Sequence, residues 1–271
     1  MKRLPKLLLL ALALAALLAV LCCTAQADAA IWPQTGSEVK KSGKVKVDVS
    51  NVSSGYFMAA VQSTNKHKLK LRVVKDGETL TYDLNGRGDY EVFPLQLGNG
   101  KYEIALYENV SGKKYSQEGK VSINVTLSSG SAPFLGPNQY VWYTVSTDAV
   151  AKAAELCGGK SAREAFDAVC AFLKGNFVYD YVKAVTVKPG TLPDIEGTYK
   201  KKMGVCQDLS AIMACMLRTQ GIPCKLMIGY ADKQYHAWTV SIINGEEVFY
   251  DPTAALNAIS KVKEYTLERF Y

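Results

Sequence analysis

Two kinds of hydrophobic pattern divide the chain. Over residues 44–127, apolar and polar side chains alternate in short runs, and a period of two predicts strands with one buried and one solvated face. Turn signals such as Asn85-Gly86 and Asn99-Gly100 separate these runs. The pattern predicts about seven strands and no helix, so we expect an immunoglobulin-like β-sandwich over residues 28–127.

The second half has helical periodicity. Residues 128–139 are rich in Ser, Gly and Pro and are predicted to form a linker. Beyond them, Ser161 and Glu164 have the spacing of a capping box at the start of an amphipathic helix. A second apolar stripe, from Leu209 to Leu217, predicts another helix, and three strand-like runs follow at residues 225–230, 235–243 and 246–250. This order predicts an α+β domain over residues 140–271.

The N-terminal segment is typical of an export signal. Basic residues precede an uncharged apolar stretch over residues 7–23, and the small side chains of Ala25 and Ala27 follow it. We therefore expect residues 1–27 to be a signal peptide and the protein to be secreted or to lie at the cell surface. Two alternatives stay open, a retained membrane anchor and a lipid anchor through Cys22 or Cys23. Any membrane contact would come from this segment.

Removal of the signal changes two counts. The formal net charge falls from +7 to +4, and the sequence has no clustered basic face, so we expect no nucleic-acid partner. Five of the seven cysteines remain, and all lie in the second half: Cys157, Cys170, Cys206, Cys215 and Cys224. An odd number of cysteines in an exported protein suggests that one thiol is reactive.

Cys206 is the best candidate for that thiol. It is predicted at the start of a helix, where unpaired N–H groups and the helix dipole favour a thiolate. A lone cysteine more often fills space in a core, but a nucleophilic thiol needs an imidazole and a group that orients it. His236 opens one predicted strand and Asp251 ends the next. A turn at Asn244-Gly245 makes them diagonal neighbours, close enough for their side chains to meet.

Three short segments carry a resemblance to a known family. Gly204-Val205-Cys206-Gln207-Asp208, His236-Ala237-Trp238 and Asp251-Pro252-Thr253 resemble the signature segments of the transglutaminase-like superfamily, over residues 140–271. The resemblance implies a papain-like α+β catalytic domain. It also implies Cys206 as the nucleophile, His236 as the general base and then acid, and Asp251 as the group that orients His236. The β half resembles the immunoglobulin-like domains often placed ahead of such catalytic domains.

The oxyanion donors and an aromatic residue complete the set of candidate site residues. In papain-like enzymes a Gln about six residues before the nucleophile completes the oxyanion hole, but this chain has Lys200 there. The backbone N–H of Cys206 is one candidate donor, and Tyr199 or Gln207 is a candidate for the second. Trp238 could line the acyl site or fill the core. No metal or cofactor is expected, because no two of these cysteines stand two to four residues apart and the candidate histidine is already assigned.

These features predict an exported cysteine enzyme that forms a thioester at Cys206 from an amide or peptide substrate, such as a cell-wall peptide. Hydrolysis, as by a peptidase or amidase, is favoured because the compact domain shows no device for excluding water. Transfer to an amine, as by a protein-glutamine cross-linking transglutaminase, is the alternative. A non-catalytic cell-surface binding module is a third, although this chain keeps all three triad residues.

Overall fold

A computed structural model describes residues 36–64, 67–256 and 261–271. The predicted signal peptide, residues 1–27, lies outside these ranges. Within them, no helix is both long enough and apolar enough to cross a membrane.

The first half folds as two antiparallel four-stranded sheets. The strand order is β1-β2-β3-β6 in one sheet and β5-β4-β7-β8 in the other. The strands are β1 (Val39–Ser42), β2 (Val45–Asp48), β3 (Tyr56–Val61), β4 (Leu69–Lys75), β5 (Glu78–Leu84), β6 (Glu91–Pro94), β7 (Gly100–Ser111) and β8 (Lys114–Val125). The period-two pattern is therefore confirmed as strand, with one strand more than the seven predicted.

The core of this half forms where alternating side chains turn inward from both sheets. Along β4, the side chains of Leu69, Leu71 and Val73 are buried while the residues between them are partly exposed. Phe57 of β3 and Phe93 of β6 stack with ring centroids 5.3 Å apart. Two antiparallel sheets around a shared core fit the expected sandwich, and its immunoglobulin-like character stays a prediction.

The second half combines helices with a third antiparallel sheet. Its helices are α1 (Asp148–Cys157), α2 (Ala162–Asn176), α3 (Tyr181–Thr186), α4 (Ile195–Lys201), α5 (Cys206–Arg218) and α6 (Pro252–Ala255). Its strands are β9 (Val178–Tyr179), β10 (Met203–Gly204), β11 (Cys224–Ala231), β12 (Gln234–Ile243), β13 (Glu246–Tyr250) and β14 (Tyr265–Phe270). The sheet order is β13-β12-β11-β14, and β9 and β10 form a separate parallel pair. The predicted α+β class is confirmed.

Local sequence accounts for the two longest helices. Ser161 and Glu164 form the predicted capping box at the start of α2. In α5, every residue from Asp208 to Arg218 is buried, because the helix packs against α1 and α2 and against strands β11 and β12. Burial on all sides holds the start of α5 in a fixed place.

The two halves are joined by packing around Arg218 at the end of α5. Its guanidinium is buried and donates to three backbone carbonyls, those of Gly136, Cys224 and Tyr271, at 2.7 to 2.8 Å. Tyr271 also stacks on Tyr140, with ring centroids 3.7 Å apart. The segment predicted as a linker thus makes ordered contacts at Gly136, and the domain boundaries themselves stay a prediction.

Candidate active site

Cys206 is the first residue of α5, as the sequence predicts, and its side chain is partly exposed. The turn into the helix depends on Gly204. A Cβ atom at this position would lie 2.6 Å from Cγ2 of Thr198 and 2.9 Å from Cβ of Asp208, closer than side chains pack. The absence of a side chain at Gly204 therefore lets β10 pass close to α4 and α5 and deliver Cys206 to the helix N-terminus.

His236 and Asp251 meet across two neighbouring strands. The pairing of Thr239 with Tyr250 sets the register between β12 and β13, and its extension places position 236 opposite position 253. The two side chains are therefore diagonal neighbours, as the turn at residues 244–245 predicts. Nε2 of His236 lies 2.9 Å from Oδ2 of Asp251, and both residues are buried.

The carboxylate of Asp251 is held by four donors. Oδ1 accepts from the backbone N–H groups of Thr253 and Ala254, at 2.8 and 3.1 Å, so Asp251 also caps α6. Oδ2 accepts from the hydroxyl of Tyr265 at 2.8 Å as well as contacting His236. A carboxylate with every lone pair engaged has little freedom to rotate.

The imidazole of His236 contacts Asp251 and is influenced by Cys206. Burial lowers its pKa, but hydrogen bonds with Asp251 and with Cys206 outweigh burial and raise the pKa to about 9. Burial alone would raise the pKa of Asp251, yet the contact with His236 brings the net shift downward. Because Nε2 faces Asp251, Nδ1 is the nitrogen available to Cys206. The arrangement thus favours an imidazolium that faces a thiol on one side and a carboxylate on the other.

Asp208 supports the turn that carries Cys206. Its buried Oδ2 accepts from the backbone N–H of Val205 at 3.0 Å and pairs with Nζ of Lys183 at 2.7 Å. Its Oδ1 accepts from the N–H of Asp194 at 3.3 Å. This side chain connects α3 and the segment before α4 to the start of α5.

Neither side chain predicted as an oxyanion donor is placed beside the thiol by its contacts. The ring of Tyr199 packs against Phe172 and Phe177, with Nζ of Lys202 3.2 Å from its centroid. The amide of Gln207 donates to the carbonyl of Thr191 at 3.1 Å. Lys200, where papain-like enzymes have Gln, pairs with Glu196 on the surface.

Tyr179 is a further candidate donor on the side of Cys206. It is the strand partner of Gly204, two residues before Cys206. Burial raises its pKa to about 12, and the charge at Cys206 is the next largest cause. Its hydroxyl is therefore within electrostatic range of the sulfur.

Trp238 packs beside the triad and is buried. Its ring lies nearly parallel to that of His236, with centroids 6.4 Å apart, and meets the ring of Tyr265 edge-on at 5.1 Å. It therefore packs on the side of the His236–Asp251 pair, consistent with either role expected for it.

Sequence reasoning missed Tyr265, Tyr179 and Lys183. Tyr265 lies on β14, an edge strand whose exposed, mixed residues give no alternating pattern. Tyr179 belongs to a two-residue strand, too short for a periodic signal. Lys183 meets Asp208 across 25 positions in sequence, and no local pattern indicates such a pair. The aromatic composition of residues 177–181 was the one available hint.

All five described cysteines are free thiols. Burial raises the pKa of Cys224 to about 11 and that of Cys170 to about 12, and it also raises the pKa values of Cys157 and Cys215. Cys206 is thus the thiol best placed to react. In the part of the chain that the structure describes, no three His, Cys, Asp or Glu side chains are grouped to hold a metal ion.

Comparison with solved structures gives distant similarities. A candidate cysteine protease from Cytophaga hutchinsonii shares 15% identity, with 86% of this chain and 90% of that one covered, at a TM-score of 0.40. A candidate protease from Parabacteroides distasonis shares 14% sequence identity, with 70% of this chain and 38% of that chain covered, at a TM-score of 0.35. The transglutaminase of red sea bream shares 14% sequence identity, with 74% of this chain and 48% of that chain covered, at a TM-score of 0.30. This chain spans less than half the length of each of the last two proteins. No curated protein sequence matches the chain.

One family model matches the region of the chain that contains the candidate site. The model of the transglutaminase-like superfamily matches residues 150–252, which run from α1 to the start of α6. This range contains Cys206, His236 and Asp251. The second half of the chain is therefore similar, over these residues, to the core of the transglutaminase-like superfamily.

Proposed function

We propose that this protein is an exported, cysteine-dependent acyl-transfer enzyme that acts on an amide bond of a protein or peptide. The observation that carries the proposal is the 2.9 Å contact of His236 with Asp251, together with the influence of Cys206 on the pKa of His236 and the place of Cys206 at a helix N-terminus. The raised pKa of His236 supports an ion pair between thiolate and imidazolium at neutral pH. Export rests on the pattern of the N-terminal segment alone.

In the first half-reaction, the thiolate of Cys206 attacks the carbonyl carbon of the substrate. A C–S bond forms and the carbonyl oxygen becomes an oxyanion. As the oxyanion collapses, the C–N bond breaks and the proton on Nδ1 of His236 passes to the leaving amine. The products are a thioester on Cys206 and a free amine, or ammonia where the substrate is a glutamine side chain.

In the second half-reaction, His236 acts as the base. Nδ1 takes a proton from water or from a primary amine, whose oxygen or nitrogen then attacks the thioester carbon. The C–S bond breaks and the thiolate of Cys206 is restored beside the imidazolium. Water gives a carboxylic acid, whereas a lysine amine gives an isopeptide bond. Asp251 keeps Nε2 of His236 engaged throughout both steps.

The oxyanion needs two donors near the sulfur. The backbone N–H of Cys206, in the first turn of α5, is one. We assign the hydroxyl of Tyr179 as the second, because this residue pairs with Gly204 and lies within electrostatic range of Cys206. This assignment replaces Tyr199 and Gln207, whose side chains are engaged elsewhere.

A polypeptide substrate is supported by the surface next to the site. The side chains of Tyr181, Val182 and Val185 on α3 are 64 to 85% exposed, an unusual set for one short helix. A cavity of about 500 Å³ lies between α3 and Met203 and includes Tyr179 in its wall. Apolar side chains of an extended peptide could bind there while its amide bond reaches Cys206. A cell-wall peptide is one substrate of this kind.

Hydrolysis is the proposed outcome, with amine transfer as the second candidate. The partial exposure of Cys206 favours water as the acceptor, since transfer to an amine requires that water be kept out. The two outcomes separate in one assay that combines a glutamine-containing peptide with a fluorescent primary amine. Release of ammonia or peptide cleavage without label supports hydrolysis, and label incorporation that Cys206→Ala abolishes supports transfer.

A non-catalytic binding module is the competing function from a different class. It predicts a thiol of ordinary reactivity, because no proton transfer is needed. Alkylation of Cys206 by iodoacetamide near pH 6, compared with free cysteine, separates the two. A rate at or below that of free cysteine, unchanged by His236→Ala, would favour the binding module.

A further inference from the structure

Among the described residues, Tyr265 makes the one side-chain hydrogen bond to Asp251 that comes from outside the three signature segments. Its hydroxyl donates to Oδ2 of Asp251 at 2.8 Å, the same oxygen that faces Nε2 of His236 at 2.9 Å. The tyrosine thus contacts the carboxylate at the atom that orients the imidazole.

The path of β14 brings Tyr265 to this position. Tyr265 pairs with Ala231 at the end of β11, and the register between these strands shifts between Ile228 and Gly229. A Cβ atom on Gly229 would lie 2.0 Å from the carbonyl oxygen of Thr266. Glycine at this bulge therefore permits the close approach that places β14 beside the triad.

The ring of Tyr265 is fixed by its neighbours. It meets Trp238 edge-on with centroids 5.1 Å apart, and Phe249 edge-on at 4.9 Å. The His236 ring lies 6.3 Å away. Packing on several sides limits rotation of the ring, so the hydroxyl stays directed toward Asp251.

We infer that Tyr265 is a positioning residue of the proposed reaction, which holds the Asp251 carboxylate and through it the His236 imidazole in line with Cys206. The inference rests on the proposed function. Loss of the hydroxyl leaves Oδ2 with one donor and allows the carboxylate to turn about its remaining contacts, so the imidazole loses its fixed orientation.

The ionisable groups around Asp251 set the direction of the expected pH effect. They are His236 from β12, Tyr250 from β13 and Tyr265 from β14, and Asp232, after β11, acts on Tyr265. Burial and the contact with Asp251 raise the pKa of Tyr265, so its hydroxyl remains a donor across the working pH range. Its hydrogen bond helps to lower the pKa of Asp251. Removing it raises that pKa, and the acidic limb of reactivity moves to higher pH.

The test is the pH dependence of Cys206 alkylation by iodoacetamide in the full chain, followed by mass spectrometry of the peptide that contains Cys206. Tyr265→Phe keeps the ring and removes the hydroxyl. We expect a rate near pH 6 that is about tenfold lower, as for loss of a hydrogen bond to a charged group, and an acidic limb moved to higher pH. Tyr230→Phe is the matched control: Tyr230 is an exposed tyrosine of the same sheet that pairs with Thr266, and this variant should leave the profile unchanged.

A second variant reverses the effect. Replacement of Tyr265 by 3-fluorotyrosine keeps ring and hydroxyl but makes the hydroxyl a stronger donor, so the acidic limb should move to lower pH. An unchanged rate and limb in Tyr265→Phe, with rapid alkylation in the unmodified protein, would overturn the inference and leave the proposed function intact. Slow alkylation in the unmodified protein itself would instead overturn the proposed function.

Discussion

At the scale of single residues, the imidazole of His236 reports most directly on the site. Its pKa of about 9 depends on both Asp251 and Cys206, and each contact favours the charged ring. A neutral or absent thiol would remove one of these two contributions. The pKa of His236 is therefore a measure of whether the thiol and the imidazole are coupled.

Cys206→Ala should lower the pKa of His236. The substitution removes the contact on the Nδ1 side while Asp251 still engages Nε2, so the pKa falls from about 9 toward the ordinary value of 6.5. NMR titration of the imidazole protons is practical because the chain has two histidines. His67, in the first half, serves as the internal control, and an unchanged His236 titration would argue against the coupled pair.

Tyr179→Phe tests the assigned oxyanion donor. Loss of this hydroxyl should reduce kcat by about 100-fold while the rate of Cys206 alkylation stays the same, because alkylation by iodoacetamide develops no carbonyl oxyanion. Tyr230→Phe, at an exposed position on β11, is the matched control. Equal loss of kcat and of alkylation would assign Tyr179 to the state of the thiol rather than to the oxyanion.

At the scale of elements, the pair of Lys183 and Asp208 connects α3 to the start of α5. Asp208 is fully buried, and Lys183 is its cationic partner at 2.7 Å. A buried carboxylate that loses its partner is costly. This pair therefore matters both for stability and for the placement of the helix turn that carries Cys206.

Lys183→Met should lower the free energy of unfolding by about 2 kcal/mol, below the usual range for a fully buried pair because the lysine is partly exposed. Chemical denaturation measures the change. Lys188→Met, at an exposed position after α3, should cost less than about 0.5 kcal/mol. A loss for Lys183→Met no larger than that for Lys188→Met would contradict the ionic role of the pair.

Local sequence predicts an element well where a single motif determines where that element begins or pairs. The capping box at Ser161 starts α2, and Cys206 starts α5 as predicted. The contact between His236 and Asp251 follows from one turn and the strand register. β14 was missed because an edge strand needs no buried stripe, and Tyr265 was missed with it. Long-range partners such as Lys183 depend on packing that no local window contains.

At the scale of the whole molecule, Arg218 links the two halves. Its three acceptors belong to the segment after the first half, to β11, and to the residue after β14. The same region holds Tyr271 against Tyr140 and places Gln96, in the first half, in contact with the carbonyl of Phe270. We therefore expect the halves to unfold together.

Arg218→Met should lower the free energy of unfolding by about 3 kcal/mol or more, because three buried carbonyls each lose a hydrogen bond from the charged guanidinium. Arg163→Met, which removes an exposed pair with Asp167 on α2, should cost less than about 1 kcal/mol. Denaturant titration followed by both circular dichroism and tryptophan fluorescence measures the loss and its cooperativity. Two separate transitions in the unmodified protein would contradict a shared unfolding unit.

The central claim is that Cys206, activated by His236, forms a thioester. Intact-protein mass spectrometry after brief exposure to p-nitrophenyl acetate tests it most directly. We predict one acetyl group per chain, located on Cys206, removed by hydroxylamine, absent in Cys206→Ala and formed at least 100-fold more slowly in His236→Ala. Acetylation that is absent from Cys206, or that proceeds equally fast without His236, would contradict the account.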